Sequence, residues 1–188
     1  MAAALAGLMA LAAGAQVVKK AQPGLRDLVR TTPSMGVSQD VVPMEQFRSE
    51  AAAVDSAVAR EVTQGWDRFL SENGTQWTLM MDKRTGRPAL ASGAGIPWVP
   101  GVGNALRPED VPGGLVTRGA VIQMAKQFIR NYPELFGVDA ADLRVIPEST
   151  GEFGGYLWYV HLQRTFHGIP VERSYAVFRV NNGNLIQF

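Results

Sequence analysis

Residues 155–188 alternate in a way that leaves few folds open to this chain. From Tyr156 the apolar side chains Trp158, Val160, Leu162 and Phe166 take even positions, with His161, Gln163 and Thr165 between them. That two-residue period belongs to a β-strand with one wet face. His167-Gly168-Ile169-Pro170 interrupts it: Gly168 is free to adopt positive φ, and Ile169 is held extended by the proline that follows. A second strand is expected over residues 171–180. Asn182-Gly183 is a two-residue hairpin signal, and residues 185–188 begin a third strand. The prediction is an antiparallel meander with two turns, its third strand barely begun and lying at an open apolar edge. A C-terminally truncated domain, completed by a longer gene product, is the corresponding expectation.

Composition excludes several classes of chemistry. The chain has 188 residues, a formal net charge of +1 and no cysteine. Near-neutral charge gives no electrostatic reason to bind nucleic acid or a membrane surface. Without cysteine there are no disulfides, thiolate zinc sites or cysteine nucleophiles. Length allows one or two small domains.

Residues 1–15 form an alanine- and leucine-rich run that ends in the small-x-small pattern Ala13-Gly14-Ala15. A signal peptide is expected there, and with it a secreted, periplasmic or extracellular location. Residues 16–43, broken by Pro23-Gly24, Thr32-Pro33 and Met35-Gly36, read as a linker with one short helix near Leu25. Met44, Phe47, Ala51, Val54, Val58 and Val62 then recur at helical steps, which predicts a single amphipathic helix. Its carboxylates are expected on a solvated face. Trp77, Leu79 and Met81 alternate up to the turn 82–86, so a smaller hairpin follows, companion to the first sheet.

Residues 93–114 are crowded with glycine and proline and read as a connecting loop packed through Ile96, Trp98 and Val99. Gly93-Ala94-Gly95 and Gly101-Val102-Gly103 lack the spacing and the helix start that a phosphate cradle needs. Residues 117–132 then carry an apolar stripe of Val121, Met124, Ala125, Phe128, Ile129 and Tyr132, with Thr117 as N-cap and Pro133 as stop. Burying it contributes on the order of 10 kcal/mol gross, an upper bound. The assigned segments are a signal peptide (1–15), a linker (16–43), a helix-plus-hairpin subdomain with its loop (44–114) and the helix-and-meander domain (115–188).

That helix, then Tyr132-Pro133-Glu134-Leu135-Phe136-Gly137-Val138 and Asp142-Leu143, leads to Gln163-Arg164-Thr165-Phe166-His167-Gly168-Ile169-Pro170-Val171. Over residues 117–188 this order resembles the fungalysin/thermolysin propeptide module found ahead of secreted zinc metalloproteases. Thr165, Phe166, Gly168, Ile169, Pro170 and Val171 match the family pattern in register. Arg164 stands where the family usually has glutamine, and Gln163 comes one residue early. The resemblance implies an α+β fold of cystatin-like architecture that chaperones and inhibits a protease in cis before being cut away. Its partner would be the cognate metalloprotease domain. Zinc and calcium would be expected only in that downstream domain, with no cofactor in this chain. The meander's edge and the His167-to-Val171 turn are the expected contact surface.

Catalysis by these residues is not expected. H-E-x-x-H and G-x-S-x-G are both absent. His161 and His167, six residues apart on a strand, would stand roughly 20 Å from each other, too far to share a metal. The competing reading is a secreted binding or structural module with the same fold and no attached protease. Coding sequence beyond residue 188 distinguishes the two.

Overall fold

A computed structural model describes residues 40–52 and 56–188. The expected signal peptide, the short helix near Leu25 and most of the expected linker lie outside the described residues. In chain order come strand β1 (Val41–Pro43), helices α1 (Met44–Ala52) and α2 (Ala57–Asn73), and strands β2 (Trp77–Asp82) and β3 (Arg87–Pro97). Helices α3 (Arg118–Asn131) and α4 (Pro133–Phe136) follow. Five strands complete the order: β4 (Leu143–Val145), β5 (Gly151–Phe153), β6 (Leu157–Phe166), β7 (Ile169–Asn181) and β8 (Asn184–Gln187). They form one antiparallel sheet in the order β1-β2-β3-β8-β7-β6-β4, with β5 also on β6. The fold is mixed α-helix and antiparallel β-sheet.

Helix α3 forms where the periodicity places it. The Thr117 hydroxyl accepts the Ala120 N–H at 3.1 Å, and Val121, Ala125, Phe128, Ile129 and Tyr132 are buried. The upstream helix is corrected: two helices stand where one was expected. Ser56 caps the second by accepting the Ala59 N–H, and α2 runs on to Asn73. Its buried face is Ala59, Val62, Gly65, Trp66 and Phe69, while Val58 is exposed. The chain restarts its helix at the Ser56 cap, so of the expected stripe Met44, Phe47 and Val62 are buried while Val58 turns outward. Val54 lies outside the described residues.

The helices cover one face of the sheet. Trp77, Leu79 and Met81 on β2, Val160 and Leu162 on β6, Phe178 and Val180 on β7 and Leu185 on β8 meet them in one core. At its centre Phe69 is fully buried, with the rings of Trp66, Trp77, Tyr132 and Phe188 at 5.0, 5.2, 5.4 and 5.5 Å. Offset and edge-to-face geometries of this kind add to the burial itself.

Strand β8 is not an open edge. It pairs with β7 on one side and β3 on the other, and Phe188 exchanges both backbone hydrogen bonds with Ala91, at 2.7 and 3.0 Å. Through β8 the upstream hairpin and the meander share one sheet and one core, so the hairpin is not a companion packed from outside. Two smaller corrections follow from pairing as well. Val41–Pro43, assigned to the linker, is a strand on β2. Gly93-Ala94-Gly95, assigned to a loop, lies within β3, which bulges between Ser92 and Ile96.

The loop after β3 clamps the second turn of the meander. Trp98 and Val99 donate to the Gly183 carbonyl at 2.9 and 3.0 Å, and Gly103 donates to Asn182 at 3.1 Å. Asn182 and Gly183 both have positive φ, 48° and 87°, as a primed hairpin turn requires. A side chain at Gly183 would collide with the Val99 carbonyl, so the sequence signal Asn-Gly also answers to this tertiary contact. At the opposite hairpin, Asp82 closes its turn by accepting from the backbone and guanidinium of Arg84, which holds its carboxyl below the usual range.

Candidate functional site

The residues that carry the sequence motif come together on the β6–β7 hairpin. His167 (φ 49°) and Gly168 (φ 80°) form the turn, and Phe166 faces Ile169 across it. Among the described residues, its chain neighbours aside, no atom lies within 4 Å of where a Gly168 Cβ would stand, so glycine is there for its backbone freedom. Phe166 and Ile169 are 63% and 69% exposed. Phe166 was expected on the buried side with Trp158, Val160 and Leu162. The helices do not reach that far along the strand, so the alternation continues while the burial stops.

Behind the tip the hairpin is irregular. Gln163 pairs with Tyr175, but two residues later Thr165 pairs with Pro170. The strand β7 therefore carries extra residues, 171–174, opposite Arg164. Arg173 takes φ 56° within this bulge, a conformation that costs a non-glycine residue energy. Gln163 ties the region together: its Oε1 accepts from Arg144 Nη2 at 2.9 Å, and its Nε2 donates to the Val171 carbonyl at 3.4 Å. Thr165 donates to the Asp142 carbonyl at 2.8 Å. Gln163 and Thr165 thus hold the hairpin arm, whereas Arg164, Phe166, Ile169 and Pro170 are exposed on it and Val171 is half-buried.

Sequence reasoning missed the bulge. The signal was present in Glu172-Arg173-Ser174, three polar residues in a row inside a strand that otherwise alternates. Reasoning also placed the contact surface on an edge of the meander. The sheet's edges are β1 at one end and the short β4 and β5 at the other. Among the described residues β8 pairs with β7 only at Arg179, Val180 and Asn181, so Ile169, Pro170 and residues 175–177 of β7 pair with β6 alone and leave one edge of the arm open.

The histidines fall in different settings. His161 is half-buried on the face away from the helices, 5.4 Å from the Tyr175 ring. His167 sits in the turn with its ring 4.3 Å from Phe166. Among the described residues no three histidine, aspartate or glutamate side chains gather as metal ligands, and no helix is long and apolar enough to cross a membrane. The chemistry this hairpin offers is contact: two large apolar side chains at a protruding turn, flanked by the arginines at 164 and 173. Comparison of the chain with protein-family models, curated proteins and solved structures finds no match.

Proposed function

We propose that this chain is a non-catalytic prosegment: an exported chaperone and cis inhibitor of a thermolysin- or fungalysin-like zinc metalloprotease. The observation that supports it most is the β6–β7 hairpin, which gathers Gln163, Arg164, Thr165, Phe166, Gly168, Ile169, Pro170 and Val171 and leaves Phe166 and Ile169 outside the core. Exposed apolar pairs of this size on a braced arm fit a protein contact better than a solvated turn. A cystatin-like arrangement, with a helix laid over a meander, is consistent with α3 against β6 and β7. Restraint in cis needs no high affinity, because a tether supplies an effective concentration of about mM.

The test is inhibition in trans. The separate chain, added to a thermolysin-type protease, should slow hydrolysis of a small peptide substrate saturably. The double variant Phe166→Ala, Ile169→Ala should weaken that inhibition about tenfold while the fold's Tm is kept. Rapid cleavage of the chain as an ordinary substrate, with no inhibition, would refute the proposal. The binding-module alternative would show itself as unchanged protease activity with the chain left intact.

A further inference from the structure

The turn that joins β7 to β8 carries Asn182-Gly183. An asparagine followed by glycine is open to attack on its side-chain carbonyl carbon by the glycine's own amide nitrogen, because glycine has no side chain to obstruct the approach. Whether the attack happens is set by the backbone. Asn181 pairs with Asn184, so the loop has two residues, and φ values of 48° and 87° make it a type I′ turn. In that turn ψ at the first central residue is about +30°. The Gly183 nitrogen then lies on the far side of the Cα–C bond from the Asn182 Cβ. A five-membered ring needs the two nearly eclipsed, so ψ must turn by roughly 150° from its type I′ value before the nitrogen meets Cγ.

The loop at residues 98–104 opposes that rotation. A peptide is planar, so the Asn182 carbonyl and the Gly183 N–H must swing together. The carbonyl accepts from the Gly103 N–H at 3.1 Å and from Asn184 Nδ2 at 3.5 Å. The next carbonyl, of Gly183, accepts from Trp98 and Val99 at 2.9 and 3.0 Å. The contact is also tight: a Cβ on Gly101 would collide with the Asn182 carbonyl and the Gly183 nitrogen. Loop backbone is thus packed on the peptide that would have to turn. Two side chains hold the loop there. Asn104 Nδ2 donates to the Val99 carbonyl at 2.9 Å and to Asn184 Oδ1 at 3.3 Å, and Asn184 Nδ2 donates to the Gly103 carbonyl at 3.0 Å.

We infer that Asn182 is a latent deamidation site, which the loop keeps unreactive in the folded chain and which reacts when the loop lets go. The Gly183 nitrogen, its proton lost to solvent base, forms a bond to Asn182 Cγ. The bond from Cγ to Nδ2 breaks, and ammonia leaves. Water then opens the cyclic imide at either carbonyl, giving aspartate or isoaspartate. Isoaspartate adds one carbon to the main chain, which a two-residue type I′ turn does not accommodate. The turn feeds β8, the strand that joins β3 to β7. Opening followed by reaction is therefore one-way: a chain that has been modified does not close the turn again. This modification is independent of the protease reading, since it needs only the chain and water.

The full chain is incubated at mildly alkaline pH, once in native buffer and once in guanidinium chloride. Proteolysis and mass spectrometry then follow the gain of about 1 Da as an amide becomes an acid, with fragmentation locating the residue. In denaturant Asn182 should convert as fast as it does in the free peptide Val-Asn-Asn-Gly-Asn-Leu. In native buffer it should convert at least about tenfold more slowly, the barrier being raised by the held backbone. Asn104→Ala removes the side-chain links between loop and turn and should speed native conversion about fivefold, the factor that ~1 kcal/mol of lost hydrogen bonding gives. Gly101→Ala, which forces the loop off the turn, should do the same. Asn182→Gly keeps the turn and should abolish the gain. Circular dichroism confirms which variants are folded, and the wild-type comparison decides by itself if neither loop variant folds. The inference is overturned if native and denatured chains convert at equal rates, or if Asn181 or Asn184 converts ahead of Asn182. It is also overturned if a folded loop variant reacts no faster than wild type.

Discussion

Phe188 and Phe166 each stand at the end of a predicted strand, and their fates are opposite. Phe188 closes β8 inside an aromatic cluster, with Phe128 at 5.0 Å, Phe69 at 5.5 Å and Phe136 at 5.6 Å. Phe166 closes β6 with 63% of its surface exposed and the His167 ring 4.3 Å from its own. The two ends of one sheet thus serve different purposes. Where β8 is inserted, each strand has two neighbours and a roof of helices, and apolar side chains there set stability. Where the tip of the β6–β7 arm lies outside the core, the same residue types are left exposed. In a sheet, an aromatic residue is stabilising only where a second layer reaches it.

That comparison can be broken by mutation, and the largest effect belongs to the covered end. Phe69→Ala should cost about 3–5 kcal/mol, measured by urea unfolding, since a fully buried ring is lost from the middle of the cluster. A loss under about 1 kcal/mol would mean that the cluster is not the stabilising unit. Thr117→Ala should cost about 1 kcal/mol through the lost cap on α3. A cost near zero would mean that burial of the α3 stripe alone sets where that helix begins.

Tyr132→Phe should cost a similar ~1 kcal/mol at neutral pH, because the hydroxyl donates to Glu72 and accepts from Asn73. Its stronger signature is in pH. Burial, and then the Glu72 carboxylate, raise the Tyr132 phenol above its ordinary value of 10.0. With the folded value raised, stability is fully present below pH 10.0 and falls as pH rises through the folded value, because the unfolded chain releases its proton first. Wild type should show that alkaline decline in chemical denaturation, and Tyr132→Phe should flatten it. The smallest effect is predicted at the uncovered end: Phe166→Ala should change stability by no more than about 0.5 kcal/mol. If it costs as much as Phe69→Ala, the arm is part of the core and the division drawn between the two ends fails.

Much of the local structure was readable from the residues. The turns at His167-Gly168 and Asn182-Gly183, the span and cap of α3, the β2–β3 turn and the inward set Trp158, Val160 and Leu162 all follow from rules that act over a few positions. The site was legible in part. The motif residues do share one hairpin, but Gln163 and Thr165 brace it, and the bulge at 171–174 was not foreseen. A bulge is the misfit between two strands, so reading either strand alone does not reveal it.

The sequence by itself determined helix α3, the alternating strands β2, β6 and β7 and the turns between them, because dihedral preference, capping and periodicity are local. Only the tertiary structure decided which strands became neighbours. It placed β8 between β3 and β7, joined the two hairpins in one sheet, drew Phe188 inward and left Phe166 outside. Pairing partners are chosen by shared burial and by hydrogen bonds between residues far apart in the chain. A local pattern sets which side chains share a face, but whether that face is covered depends on where the helices come to rest.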